Sequence, residues 1–198
     1  VKRIDEIEKI TKHDLIAFLE NVNENVDRKF SPYIHKGLTS SDVIDTALAL
    51  QIKDASIIIN KDLDSVIEAV KSLAKTHKYT VCLGRSHGMA AEVITFGFKL
   101  LNLLDNLLRA KERFNFALKE VLTGQISGPC GSYSNIDPEV EEKTCEILNL
   151  TPAKISTQVI SRDRHAFYLQ TLSLIASVIE SFSIEIRHLS RFEVAEVE

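Results

Sequence analysis

Apolar residues recur every three or four positions along three long stretches of this chain. Leu48, Ile52, Ala55, Ile59, Leu63, Val66, Val70 and Leu73 mark the first and predict a helix over residues 42–76. Leu100, Leu103, Leu107, Ala110, Phe114, Ala117 and Val121 mark the second, over residues 91–122, and Leu101, Leu104 and Leu108 widen its stripe. A helix apolar over that much of its circumference is buried on more than one side, in a bundle centre or between subunits. Leu172, Ile175, Ile179, Phe182, Ile186 and Leu189 mark the third. Residues 2–28 read as shorter helical segments, with Ile4, Ile7 and Ile10 on one face and Leu15, Ile16, Phe18 and Leu19 on the next. A short helix over 137–149 starts at Asp137-Pro138. The pattern predicts an all-α fold built as a bundle of long helices.

The informative polar residues lie at the ends of these helices. Thr39-Ser-Ser-Asp42 is a strong helix start. Capping needs one of its hydroxyls, and the others can donate to a carboxylate with help from the helix dipole. Thr80-Val-Cys-Leu83 reads as extended, and Gly84-Arg-Ser-His-Gly88 as a loop running into the second long helix. That places His87 near a helix N-terminus, as a capping or packing residue or as a general acid or base near neutral pH. His13-Asp14 reads as a capped junction between helices, or as a histidine beside a carboxylate at the mouth of a cleft. In the glycine-rich stretch 124–136, Gly128 and Gly131 can turn backbone N–H groups toward an anion, although the Lys-Ser/Thr ending of a P-loop is missing. Gln158 precedes the third long helix, where its amide suits a polar ligand, and Arg162-Asp-Arg164 reads as a salt-bridge cluster at that helix start.

Composition narrows the class. The 198 residues are 44% hydrophobic and 26% charged, as in globular domains. A net charge of −4 with scattered Lys and Arg predicts no nucleic-acid partner. No apolar run is expected to reach a membrane-spanning length, and no signal peptide is visible. Cys82, Cys130 and Cys145 form no CxxC pair and read as ordinary thiols of a reducing compartment. The chain starts at Val1 and stops in Glu193-Val-Ala-Glu-Val-Glu198, which reads as a piece of a longer protein.

Lys12-His-Asp14, His35 ahead of Thr39-Ser-Ser-Asp42, Gly84-Arg-Ser-His-Gly88, Gly128 to Gly131, and Ser156-Thr-Gln158 with Arg162-Asp-Arg-His165 occur in this order. As an ordered set they closely resemble the adenylosuccinate lyase family of the fumarase/aspartase superfamily, over almost the whole chain. Gly88 after His87, and the run Arg162–His165, favour that branch over its fumarase and argininosuccinate lyase relatives. The resemblance implies an all-α protein in which residues 1–28 end an N-terminal helical domain and 29–198 belong to a central long-helix domain. It implies a cytoplasmic homotetramer with active sites shared between subunits, and no metal or redox cofactor. The implied substrates are adenylosuccinate, cleaved to AMP and fumarate, and SAICAR, cleaved to AICAR, both in purine nucleotide biosynthesis.

Elimination of this kind takes a proton beside a carboxylate, builds a dianionic aci-carboxylate and expels a nitrogen that must be protonated. It needs a base, an acid and several donors around carboxylates. By resemblance, His87 is the acid and Ser86 keeps the hydroxyl beside it. Lys12, His13 and Asp14 contact the nucleotide. Thr39 and Ser40 donate to the succinyl carboxylates, Gln158 binds substrate, and His35 lines the same pocket. The departures are Ala90 where the family has a second histidine, Val93 where it has proline, and Pro129-Cys130 where Ala-Val is common. The family's mobile loop with its serine base, and its C-terminal domain, lie outside these residues, so the chain alone is expected to be inactive. Two other readings stay open: another lyase of the superfamily, argininosuccinate lyase-like or lactonising, or a non-catalytic helical assembly module.

Overall fold

In the computed structural model, which describes residues 1–198, two short helices come first, α1 (Lys2–Thr11) and α2 (Asp14–Glu24). They are separated where Lys12 takes a left-handed conformation (φ 55°) and His13 becomes the cap of α2. A single 3₁₀ turn, Ser31–Tyr33, interrupts the connector. Helix α3 (Ser40–Thr76) follows, then strands β1 (Val81–Ser86) and β2 (Met89–Thr95), and helix α4 (Phe96–Val121). Strand β3 (Thr123–Gly124), helix α5 (Pro138–Leu148), strand β4 (Thr151–Pro152) and helix α6 (Asp163–Leu189) complete the chain. The fold is all-α apart from these short strands, as the periodicity predicts.

The chain forms two compact units that do not follow sequence order. Val1–Gln51 and Leu122–Ser161 make the first. Its apolar centre is Ala49, Cys145 and Leu150, with Leu50, Leu122 and Leu148 packed around them. Strand β3 pairs with β4 in parallel beside that centre. Gly124 has no room for a side chain there, because a Cβ would stand 2.7 Å from the Cys145 sulfur. Helix α5 is capped by Asp137, whose carboxylate accepts from the Glu139 N–H at 2.9 Å.

Ile52–Val121 and Arg162–Glu198 make the second unit. One cluster joins Leu63, Ala110, Phe114, Val121, Tyr168 and Ile175, and the other joins Ile67, Val70, Leu100, Leu103 and Leu107. The buried face of α4 is the one its periodicity predicts: Leu100, Leu103, Leu107, Ala110, Phe114, Ala117 and Val121 are all buried. Leu104 packs against the second cluster, while Leu101 and Leu108 remain exposed. In α3 the predicted seam is rotated. Leu63 and Val70 are buried, but Ala55, Val66 and Leu73 face outward and Ser56, Ile67 and Ala74 take their places. A helix apolar on several sides cannot reveal from spacing alone which side its own chain covers.

Two expectations are corrected. The second long helix starts at Phe96, not at residue 91, because residues 89–95 form a strand paired antiparallel with β1. His87 and Gly88, at φ 55° and 74°, form the two-residue turn between Ser86 and Met89. Two consecutive left-handed residues are what a tight hairpin turn requires, so His87 sits at a hairpin tip and not at a helix N-terminus. The second correction concerns α6, which by length and composition is long and apolar enough to cross a membrane. Tyr168, Thr171 and Ile175 on one of its faces are buried in the second unit, while Leu169, Leu174, Ile179 and Ile184 on its other faces are exposed.

Candidate active site

Residues 123–128 are all buried although they belong to no helix. A buried loop must satisfy its backbone polar groups within the protein, and two carboxylates and a hydroxyl of the first unit do this, while a third carboxylate holds the stretch before α6. The hydroxyl of Thr46 donates to the Gln125 carbonyl at 3.0 Å and accepts from the Gln125 N–H at 3.1 Å. Glu141 accepts from the Ile126 N–H at 2.7 Å and from the Tyr133 hydroxyl at 2.7 Å. Burial, then this bond to Glu141, push the Tyr133 hydroxyl up to about 12. Asp45 accepts from the Ile160 N–H at 2.8 Å.

Asp42 is the centre of the arrangement. It is fully buried, and its carboxylate accepts from the Ser127 N–H at 3.1 Å and the Gly128 N–H at 3.0 Å. It also accepts from the Gln125 side-chain amide at 3.2 Å and the Thr39 N–H at 2.9 Å. The last bond is the back-reaching half of a capping box, in which an acid in the first helical turn accepts from the N–H of the cap residue. The sequence predicts N–H groups at Gly128 and Gly131 turned toward an anion. The anion facing Gly128 is the chain's own Asp42, whereas the Gly131 N–H donates to the Gly128 carbonyl at 3.2 Å. A Cβ on Gly131 would stand 2.2 Å from the Ser156 carbonyl oxygen, and one on Gly37 would stand 2.4 Å from that of Asn135. These two glycines serve close backbone packing.

The clamp orders two of the predicted substrate donors. The Gln125 amide, held by Asp42, also donates to the Gln158 backbone carbonyl at 2.7 Å. The Gln158 side-chain amide donates to the Thr39 hydroxyl at 3.3 Å. Thr39, Ser40 and Gln158 are thus gathered at the positive end of the α3 dipole. Ser127 and Ser156 share a hydroxyl bond of 2.8 Å alongside. His35, at φ 61°, lies in the turn four residues before Thr39, with its Nε2 buried and unpartnered. Lys12, His13 and Asp14 stay exposed at the α1–α2 junction. His13 Nδ1 accepts from the Ile16 N–H at 3.4 Å and the Asp14 carboxylate accepts from the Leu15 N–H at 2.7 Å, which is the capping reading of this pair. No side-chain hydrogen bond joins them to the Thr39–Gln158 group.

Ser86 and His87 belong to the second unit, on the hairpin, and both are exposed. Gly84 is pinched there, since a Cβ would lie 2.9 Å from the Glu92 carbonyl, and the strand register shifts between Gly84 and Arg85. Asp42 was legible in the sequence only as an acid in a first turn. Gln125, Asp45 and Glu141 carried no local signal, because their partners are distant along the chain. For the hairpin, a His-Gly pair ahead of the β-branched run Val93-Ile94-Thr95 was the available sign.

Residues 2–198 match the model of a protein family described as Lyase. The whole chain is 52% identical to the adenylosuccinate lyase of Synechocystis and 53% identical to that of Aquifex aeolicus, covering 46% and 45% of those proteins. It is 49% identical to the adenylosuccinate lyase of Bacillus subtilis, covering 46% of it. The chain thus spans about half the length of the curated relatives it matches. Among solved structures, a fumarate lyase from Mesorhizobium sp. superposes with a TM-score of 0.89 at 27% identity, over 98% of this chain and 46% of that one. A 3-carboxy-cis,cis-muconate lactonizing enzyme from Pseudomonas putida gives 0.85 at 26% identity, over 97% and 45%.

Proposed function

The chain belongs to the lyase family of the fumarase/aspartase superfamily, and on that premise we propose that the protein eliminates fumarate from adenylosuccinate, leaving AMP, and from SAICAR, leaving AICAR. The observation that carries the reading is the Thr39–Gln158 pair at the start of α3, held by Asp42. The match of the whole chain, at 49–53% identity, to proteins of that name supports it. Thr39 and Ser40 donate to the succinyl carboxylates, where the α3 dipole favours negative charge. Gln158 fixes the same end of the substrate, and His35 offers its free ring nitrogen nearby. Lys12, His13 and Asp14 contact the nucleotide. His87, with Ser86 beside it, protonates the leaving nitrogen from the hairpin tip. The base is a serine from a loop of the full-length protein outside these 198 residues. The reaction uses no metal or redox cofactor and runs in the cytoplasm. Residues 29–198 form part of a central bundle domain that follows an N-terminal one.

In the full-length protein, His87→Gln lowers kcat for adenylosuccinate on the order of 10²-fold, as for loss of a general acid, with KM and melting temperature close to wild type. Near-normal turnover by this variant refutes the assignment.

The active protein is a homotetramer that shares its sites between subunits. Ile57 and Ile58 of α3 are 62% and 64% exposed, and Leu101 and Leu108 of α4 and Leu169, Leu174, Ile179 and Ile184 of α6 are exposed as well. Apolar exposure on this scale is characteristic of an interaction face. Sedimentation shows a tetramer at tens of micromolar, and Leu101→Glu dissociates it by placing an unpaired carboxylate in an apolar interface. A stable monomer refutes the proposal.

A further inference from the structure

We propose that Arg85 and Glu196 form a tether that sets the position of the hairpin tip, making both of them positioning residues for the elimination rather than part of its proton-transfer machinery. The inference rests on the reading of His87 given above, but its structural half can be tested without any substrate.

Strands β1 and β2 pair only with each other. A two-stranded hairpin on its own is marginally stable in water, and residues 85–93 of this one are all exposed. Its base is well held. The Phe96 N–H donates to the Thr80 carbonyl at 2.8 Å, the Gly97 N–H donates to the His77 carbonyl at 2.9 Å, and the His77 ring meets Phe96 edge-on at 5.4 Å. Toward the tip, one side-chain hydrogen bond ties residues 84–94 to the rest of the second unit. Arg85 Nη2 donates to Glu196 Oε1 at 2.5 Å. Arg85 follows the register shift at Gly84, the kind of irregularity that re-aims a side chain.

Glu196 is itself fixed. Past the end of α6, Val194 and Ala195 donate their N–H groups to the Arg191 carbonyl at 2.9 and 2.8 Å. Ala195 takes a left-handed conformation (φ 48°), and the Glu196 N–H returns to the carbonyl of Leu189, a residue only 3% exposed. The carboxylate therefore projects from a backbone pinned to the last residue of α6. A second ion pair, Lys99–Glu185 at 2.5 Å, joins α4 to α6 alongside. Arg85 lines a cavity of about 440 Å³ together with Lys99 and Glu185, and the cavity also touches Gly88 of the hairpin turn, His188 and Arg191. The Arg85 and Glu196 side chains are 28% and 23% exposed, so solvent screens them less than a pair on open surface. The Arg85 bond holds the Glu196 carboxyl below the usual carboxylate range, so the pair is ionised at neutral pH. From Leu189 to Glu196 to Arg85, a short polar chain runs from the end of α6 to a point two residues from His87.

The test uses the full-length protein. Arg85→Gln and Glu196→Gln each lower kcat on the order of tenfold, within the range expected when a reacting group is misplaced, with KM within about twofold. The double variant is no worse than either single one, as a shared interaction requires. The reversed pair Arg85→Glu with Glu196→Arg recovers most of the activity, which a general structural defect would not. Independently, amide hydrogen exchange at residues 86–91 quickens about tenfold in each single variant and returns toward wild type in the reversed pair. Unchanged exchange in the single variants overturns the tether whatever the activity does. Additive losses in kcat, or no rescue by reversal, overturn it as well. If exchange responds as stated while the wild-type protein fails to cleave adenylosuccinate, the tether stands and the proposed reaction falls.

Discussion

Residues 123–128 are buried without interruption, and residues 85–93 are exposed without interruption. Both stretches lie next to side chains that we propose for the same reaction, yet they are held in different ways. The buried loop is clamped by charge-assisted bonds to Asp42 and Glu141, both carboxylates out of solvent and both accepting from its backbone N–H groups. The hairpin has ladder bonds within itself and one ion pair outward. Groups that recognise carboxylates by geometry gain from a rigid frame, because unsatisfied or misaligned donors are costly. A proton donor that must meet a leaving nitrogen can stand on a projecting element, provided that the element is held at one point.

The largest expected effect breaks the clamp. Asp42→Ala removes the acceptor of four donors in the buried region, and each unsatisfied one costs about 1–3 kcal/mol. Urea denaturation should show a loss of about 3 kcal/mol or more. Arg85→Gln should move the urea midpoint far less, as for a partly exposed ion pair. If the two losses were similar, the hairpin would be part of the folding core and the contrast would fail.

Two glycines sharpen the same comparison at smaller scale. Both are left-handed, Gly131 at φ 71° and Gly88 at φ 74°. Gly88→Ala meets nothing within 4 Å and should cost only the backbone strain, about 1 kcal/mol. Gly131→Ala adds a collision with the Ser156 carbonyl to the same strain and should cost about 2–3 kcal/mol. Equal melting temperatures for the two variants would show that the buried loop yields as easily as the hairpin.

The smallest effect is a pH dependence confined to the buried side. Burial pushes the Cys145 thiol up to about 11, from an ordinary value of 9.0. Its folded value is raised, so its contribution to stability is complete below the unfolded value and is lost as pH rises through the folded one. The denaturation midpoint should therefore fall between about pH 9 and 11, and less so in Cys145→Ala. Below that range, thiol reagents should label exposed Cys130 readily and Cys145 only on unfolding.

The sequence by itself determined the all-α architecture, the buried face of α4, the helix starts at Thr39 and Asp137, and the order of motifs that marks the family. These are local properties: a period of 3.6 residues, a capping residue type, a spacing between chemical groups. Tertiary structure decided the rest. Ala90-Ala91-Glu92 are good helix formers, yet they lie in a strand because the His87-Gly88 turn folds β2 back on β1. The glycine loop's donors face inward because Asp42, 85 residues away from Ser127, comes to meet them. Arg85 finds Glu196 across 111 residues. Pairings over such distances leave no periodic trace along the chain, since each partner's choice depends on where packing carries the other.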